Sequence, residues 1–479
     1  MNFATVSFVL FFLPVLCLGW ILRRRGAWFK WFLVLVSLFF YGQLGVNYLA
    51  LLLLVAAVNW GTVRLVASSE REATRKWLVA GDVALHVCLL AFYKYAEPLF
   101  LLLTELPLGN GCLHQWLMES GMGDVVLPAG LSFYSFMGLS LVIDHYRDRT
   151  LPPRSFPDVL AYVSFFPTIM AGPIMRGKQF FPQLQRTRAE ASDFNEGICY
   201  ILSGLFKKVV LATFLSRNLV DPLFEMPDSY SSTAALVGIY AYTIQILCDF
   251  SGYTDLAIGV ARLMGFRLPQ NFESPYRSLN LQEFWRRWHI TLSLWLRDYL
   301  YIPMGGSRRG NRYVNLIVTM VIGGLWHGSG LNFLIWGFFH GLGLAVVHAF
   351  HSLRDRMSLF SRFDGRGWSI TGKVLAWVLT FHSVAVLWVF FRAGTFDEAC
   401  GVFRSVVQGG GSGSFDLRIL LIIALVLVMQ WVGPACFSRF AALMARLPWV
   451  VQALVAGVLG GAILAMGPEG MLPFIYFDF

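Results

Sequence analysis

Charged side chains are scarce in this chain, at 14% of its 479 residues, where a soluble protein carries roughly 25%. With 57% of residues hydrophobic and 16% aromatic, that scarcity argues against a soluble globular enzyme. The seven cysteines (17, 88, 112, 199, 248, 400 and 436) form no C-x-x-C pair, and most lie in apolar runs. They read as small buried hydrophobes and not as a redox framework. There is no G-x-S-x-G elbow, no P-loop, no H-E-x-x-H and no metal-like Cys/His spacing. A nucleophilic Ser or Cys thus has no local signature, and no metal site is expected. No repeat period stands out and no soluble domain separates, so residues 1–479 are expected to form a single integral-membrane domain.

What the chain does have is long apolar runs, repeated along its length and long enough to cross a hydrocarbon core of ~30 Å. This predicts an all-α polytopic membrane protein of about ten to twelve segments, re-entrant ones included. The net charge of +10 is expected from basic residues gathering in cytoplasmic loops and calls for no nucleic acid. The run 6–22 lacks a basic n-region, and its arginines (Arg23, Arg24, Arg25) follow it, so it reads as a retained first helix. Basic clusters after it, at 64–76 and at 147–154, alternate with a loop at 104–125 that has no Lys or Arg. Both termini are therefore predicted outside.

Several stretches depart from simple crossings. The run 31–66 is interrupted near Gly42–Gly45 and could be two short passes or a broken hairpin. Residues 159–173, VLAYVSFFPTIMAGP, are short, carry two prolines and have basic residues on both sides. They are predicted to be re-entrant and covered by protein or water, because irregular backbone cannot face lipid. Asp249 and Asp255 sit in the apolar run 233–266 and should face an internal polar space. The Gly/Ser run 408–414 reads as a flexible surface loop.

Chemistry gathers in two stretches, FWRRWHITLSLWLRDYLYIPMGG at 284–306 and GGLWHGSGLNFLIWGFFHG at 323–341. On a helix over 284–300, Phe284, Trp285, Trp288, Leu292, Trp295, Leu296 and Tyr299 share one arc, with His289 at its edge. That helix is predicted to lie at the inner membrane surface. Arg286, Arg297 and Tyr301, at or just past the edge of its polar face, are the candidates for contacting an anionic donor. His327 is placed deeper: fifteen helical residues from Arg312 rise roughly 22 Å. An intramembrane histidine in a Gly-rich break is a functional candidate by default. Gly328 and Gly330 leave room for a ligand or another backbone. His340 reads as supporting structure. A buried neutral imidazole can serve as general base on a hydroxyl, and arginines at the inner surface can hold donor phosphates. The combination fits acyl transfer between two membrane faces.

These two stretches, with FFPTIMAGPIMR at 165–176, the ending PFIYFDF and the opening FVLFFLPV, resemble the membrane-bound O-acyltransferase (MBOAT) family over nearly the whole chain. The likeness is greatest to the bacterial branch of alginate and cellulose O-acetylation and of teichoic acid D-alanylation. The resemblance implies a ring of tilted helices around a central, cytoplasm-facing funnel. It implies His327 as the catalytic residue, with His289 as a second essential position that orients a substrate or serves as a further acid/base. It also implies an acyl group drawn from a cytosolic thioester, here acetyl-CoA, with no permanently bound cofactor. The acyl group would pass to a periplasmic or membrane-anchored polysaccharide acetyltransferase working beside a synthase and export complex. The expected protein is an inner-membrane O-acetyltransferase for an alginate- or cellulose-type exopolysaccharide. The rivals are a D-alanyl, lipid or protein acyltransferase, or a transporter in which Asp249, Asp255, His289 and His327 relay protons. Against the transporter, no pair of matching broken helices appears in two halves.

Overall fold

Backbone amides that face lipid must find their partners within their own segment, and the apolar runs of this chain accordingly form helices. The computed structural model describes residues 3–105, 125–186, 190–356 and 369–467. Among the described residues, nine helical segments are long and apolar enough to cross a membrane, and the only bridge between extended segments is an isolated one, Tyr230 to Gly413. The chain is an all-α polytopic membrane protein. Most of the predicted external loop (106–124) and the PFIYFDF ending lie outside the described residues. The chain falls into two compact units, 1–190 with 261–268, and 191–260 with 269–479.

The first unit begins with α1 (Val6–Leu22) and α2 (Gly26–Gly42). The three arginines between them form a single tight turn, and Arg23 is buried there. Its guanidinium donates to the carbonyls of Met264 and Gly265 and lies against the rings of Phe29 and Phe266. The expected break near Gly42 is present: α3 (Val46–Ser68) starts after Gly45, whose φ of 138° suits glycine alone. Next come α4 (Glu72–Glu105) and α5 (Leu131–Arg147). The predicted re-entrant stretch forms two short helices, α6 (Phe156–Val163) and α7 (Phe166–Ile169), followed by α8 (Gly177–Leu184). Every residue from Val159 to Met175 is buried. Protein covers this irregular backbone: Tyr162 donates to the Met175 carbonyl at 2.7 Å, and the Phe166 amide donates to Ser37 Oγ at 3.2 Å.

In the second unit, α9 (Asp193–Glu225) contains two π-type stretches, Phe206–Ala212 and Ser216–Val220. It runs beside α10 (Ser232–Leu263). Lys208 pairs with Asp249, both buried, and Lys207 pairs with Asp255 at 2.6 Å, where Ser203 also donates at 2.9 Å. The polar surroundings expected for the two aspartates are thus supplied by lysines on the neighbouring helix. Two short helices, α11 (Leu281–Arg287) and α12 (Ile290–Leu296), precede α13 (Arg312–His327) and α14 (Leu331–Arg356). The remaining elements are α15 (Ile370–Arg392), α16 (Phe396–Gln408), α17 (Leu417–Arg446) and α18 (Trp449–Met466). Arg439 and Arg446 fall in the last turns of α17. The Gly/Ser run is not a free tether: Gly413 donates to the Ser229 carbonyl at 2.9 Å, and its own carbonyl accepts from Ser231 at 3.3 Å.

Removing one partner of a buried ion pair strands the other charge at a cost of about 3–5 kcal/mol. Lys208→Met should therefore lower the thermal midpoint of the detergent-purified protein sharply. Adding Asp249→Asn should restore most of the loss; no recovery in the double variant would show that the pair is not the source of the effect.

Candidate active site

The site is built on a hairpin. Three contacts between α13 and α14 run in antiparallel register. A Cβ on Gly324 would meet the Phe333 carbonyl at 2.2 Å, one on Gly337 the Met320 carbonyl at 2.5 Å, and one on Gly341 the Ile317 Cα at 2.6 Å. Each distance is too short for any side chain, so glycine is required if the two backbones are to touch. The hairpin's apex is His327-Gly328-Ser329-Gly330, and His327 is the last residue of α13. With sixteen residues, α13 rises about 24 Å, short of a full crossing of ~30 Å.

The two apex glycines differ in what surrounds them. The space a Gly328 side chain would fill is occupied by the Phe333 ring at 2.2 Å. Gly330 has no close neighbour at its missing Cβ. Gly328 thus serves packing, while the space beside Gly330 is open.

His327 is buried, 5% exposed, among aromatic rings. Its centroid lies 4.8 Å from Trp326, 5.0 Å from Phe391 and 5.2 Å from Trp336, each in edge contact. His289, 1% exposed, joins the same cluster, with its centroid 6.4 Å from Trp326 and 4.7 Å from Phe250. One tryptophan therefore touches both histidines, although 38 residues of chain separate them (327 minus 289).

The predicted continuous helix over 284–300 is broken at this point. Helix α11 ends at Arg287, Trp288 is extended, and His289 adopts a left-handed backbone conformation with φ 40° and ψ 54°. A non-glycine residue there stores about 1–2 kcal/mol of strain. Asn271 holds the kink. Its carbonyl accepts from the Ile290 amide at 3.0 Å, and its Oδ1 accepts from the Thr291 amide and hydroxyl at 3.2 and 2.6 Å. Neither ring nitrogen of His289 has a hydrogen-bond partner among the described residues. His289 lies outside the nine candidate spans, and burial pushes its pKa down to about 3. The ring is therefore neutral at physiological pH.

The three donor candidates are not brought together. Arg286 is exposed and lines a cleft of about 400 Å³ with Gln282, Glu283, Glu273, Arg287 and His351. Arg287 is held there by Glu283 at 3.0 Å and Glu273 at 3.7 Å. Arg297 pairs with Asp298 at 2.7 Å, and neither it nor Tyr301 lines that cleft. Residues the sequence reading passed over include Asn271, Trp326, Phe250 and Trp336. Only Trp326 and Trp336 carried a signal, through their places in the two motif stretches. Among the described residues, no group of three His, Cys, Asp or Glu side chains could hold a metal.

The profile of the membrane-bound O-acyltransferase family, MBOAT, matches residues 97–391, which include both histidines and the hairpin. The chain belongs to this family. Among its relatives, a probable alginate O-acetylase of Pseudomonas putida is 33% identical over 512 aligned positions, covering all of both chains. A peptidoglycan O-acetyltransferase of Helicobacter pylori is 35% identical over 443 positions, covering 85% of this chain and 80% of that one. A teichoic acid D-alanyltransferase of Streptococcus thermophilus is 30% identical over 285 positions, covering 55% and 67%. The protein is thus a multi-pass membrane O-acyltransferase of the MBOAT O-acetylation branch.

The left-handed backbone at His289 can be tested in this MBOAT protein through stability. Asparagine tolerates that conformation and a β-branched residue does not. His289→Asn should unfold at a higher temperature than His289→Val, by the equivalent of about 1–2 kcal/mol. The reverse order would contradict the kink.

Proposed function

We propose that the protein takes an acetyl group from cytosolic acetyl-CoA and delivers it across the bacterial inner membrane for O-acetylation of an exopolysaccharide of the alginate or cellulose type. His327 acts as the general base. The observation that carries this reading is the place of His327: an imidazole at the apex of a glycine-packed hairpin, enclosed by Trp326, Trp336 and Phe391. In such surroundings the ring can accept a proton from an acceptor hydroxyl as the oxygen attacks the thioester carbon. His289, whose ring also packs near Trp326, orients the donor or acceptor or serves as a second acid/base. Arg286 and its cleft are the part of the predicted donor entrance that suits phosphates; Arg297, already committed to Asp298, suits them less.

Acetyl as the transferred group is supported by two relatives that match most of the chain, one an O-acetylase named for alginate and one an O-acetyltransferase named for peptidoglycan. The D-alanyl relative matches a shorter part. The polymer's hydroxyl is reached through a separate periplasmic or membrane-anchored transferase, beside a polysaccharide synthase and export complex. The pairing of Asp249 and Asp255 with lysines supports a structural place for both carboxylates, which weakens the proton-relay alternative.

His327→Ala should leave a folded, membrane-inserted protein and abolish polymer acetylation when expressed in a strain lacking the native gene. Acetyl content of the secreted glycan, measured by alkaline release, is the readout. Wild-type acetylation by this variant would overturn the assignment of the base.

A further inference from the structure

Trp336, in ring contact with His327, and its neighbour His340 carry two hydrogen-bond donors that no described residue uses. Trp336 and His340 are both on α14, one turn apart, so their side chains lie on one face of the helix and meet edge to face. Their ring centroids are 4.8 Å apart, and Trp336 is 5.2 Å from His327. The two rings are buried at 1% and 0% exposure.

The protonation of His340 follows from its partner. Trp285 Nε1 lies 3.3 Å from His340 Nδ1. An indole N–H can only donate, so Nδ1 must be the accepting nitrogen. The neutral ring therefore carries its proton on Nε2. That Nε2–H has no acceptor among the described residues, and neither does the Trp336 Nε1–H. Buried polar groups are nearly always satisfied, and those that are not call for an explanation. Phenylalanine at 336 would supply a similar ring surface without the orphan donor.

We propose that Trp336 Nε1–H and His340 Nε2–H stabilise the oxyanion of the transfer reaction. This rests on the acyl-transfer reading above and deepens it. In the step envisaged, His327 takes the proton of the acceptor hydroxyl and the hydroxyl oxygen bonds to the thioester carbon. The carbonyl π pair moves onto its oxygen. The two N–H groups donate to that oxygen as its charge develops. Collapse of the tetrahedral intermediate breaks the C–S bond, and the departing thiolate takes the proton back from His327. One ester forms, one thioester is lost, and no oxidant or further reactant is needed. Donors already in place and shielded from water are suited to this task, because they need not reorganise as charge appears. His340 then stops being a supporting residue and becomes a catalytic one.

The test uses the full-length protein in lipid nanodiscs together with the partner transferase of that reading, acetyl-CoA and a glycan acceptor. Trp336→Phe keeps the ring and removes the donor. It should lower kcat by about 10²–10³-fold, the usual effect of losing one oxyanion donor, while KM for acetyl-CoA changes little. His340→Gln, which retains an N–H donor, should keep clearly more activity than His340→Phe. Two unreactive donor analogues separate catalysis from packing. Trp336→Phe should bind a trifluoromethyl ketone analogue, whose tetrahedral hydrate mimics the oxyanion, less well than wild type. A thioether analogue, which lacks the carbonyl, should bind both proteins equally. Wild-type kcat in Trp336→Phe, with or without a lower thermal midpoint, would overturn the proposal. So would equal loss of both analogues, which would mark the tryptophan as packing alone. Failure of the underlying reading has a different signature: the wild-type protein would transfer no acetyl group, or His327→Ala would remain active.

Discussion

Close approach of two helix backbones is the constraint on which the site depends. Gly324, Gly337 and Gly341 let α13 and α14 touch where any Cβ would collide with backbone atoms. That contact fixes the register of the hairpin and with it the apex that carries His327. It also decides which face of α14 lies beside His327, and hence why Trp336 is in ring contact with it. Between helices in lipid, hydrophobic burial supplies little drive to associate, and tight packing through small residues takes its place. A side chain at any of these glycines would separate the helices and move the imidazole relative to its aromatic enclosure.

A second constraint acts through charge. Lysine and aspartate are costly at membrane depth unless paired, and α9 and α10 meet that condition with Lys208–Asp249 and Lys207–Asp255. The pairs lie immediately before and a little after Phe250, the residue whose ring packs on His289. The same stretch of α10 thus carries both the ionic brace and one wall of the histidine's pocket. In the first unit, Arg23 has a comparable place: its guanidinium donates to the Met264 and Gly265 carbonyls and stays buried against aromatic rings. These charges hold helices together. They are poor candidates for carrying a transported ion.

Much of the architecture was legible because hydropathy and the placement of Lys and Arg respond to the bilayer directly. The break at Gly42–Gly45, the buried short helices at 159–175 and the hairpin apex at His327 all follow from apolar length, proline and glycine. The kink at His289 was not legible. Trp288, His289 and Ile290 contain no glycine, proline or asparagine to announce a left-handed residue, and the support comes from Asn271, 20 positions away from Thr291. Helical periodicity alone therefore drew a continuous helix through it. The same limit applies to His340: its tautomer depends on Trp285, 55 positions away, and no local pattern encodes that contact. The arginine candidates meet a simpler limit. Amphipathic placement shows which side of a helix meets water, but not whether Asp298 has already claimed the guanidinium of Arg297.

The two histidines that began as a pair now differ in how they are held. His289 is fixed through its backbone: strain at a left-handed position is offset by the hydrogen bonds Asn271 makes to the following turn. Its ring nitrogens have no partner among the described residues, so the fold spends its interactions on where the ring sits. His327 is fixed through its surroundings, at a helix terminus enclosed by Trp326, Trp336 and Phe391. Trp326 joins the two environments, touching both imidazoles. A displacement of either helix end would reach the other histidine through that one ring. The neutral state of His289 follows from the same enclosure, because a dry aromatic pocket penalises the charged form. An imidazole kept neutral and water-excluded retains its lone pair for a substrate proton, which ties the packing of this cluster to the chemistry it can support.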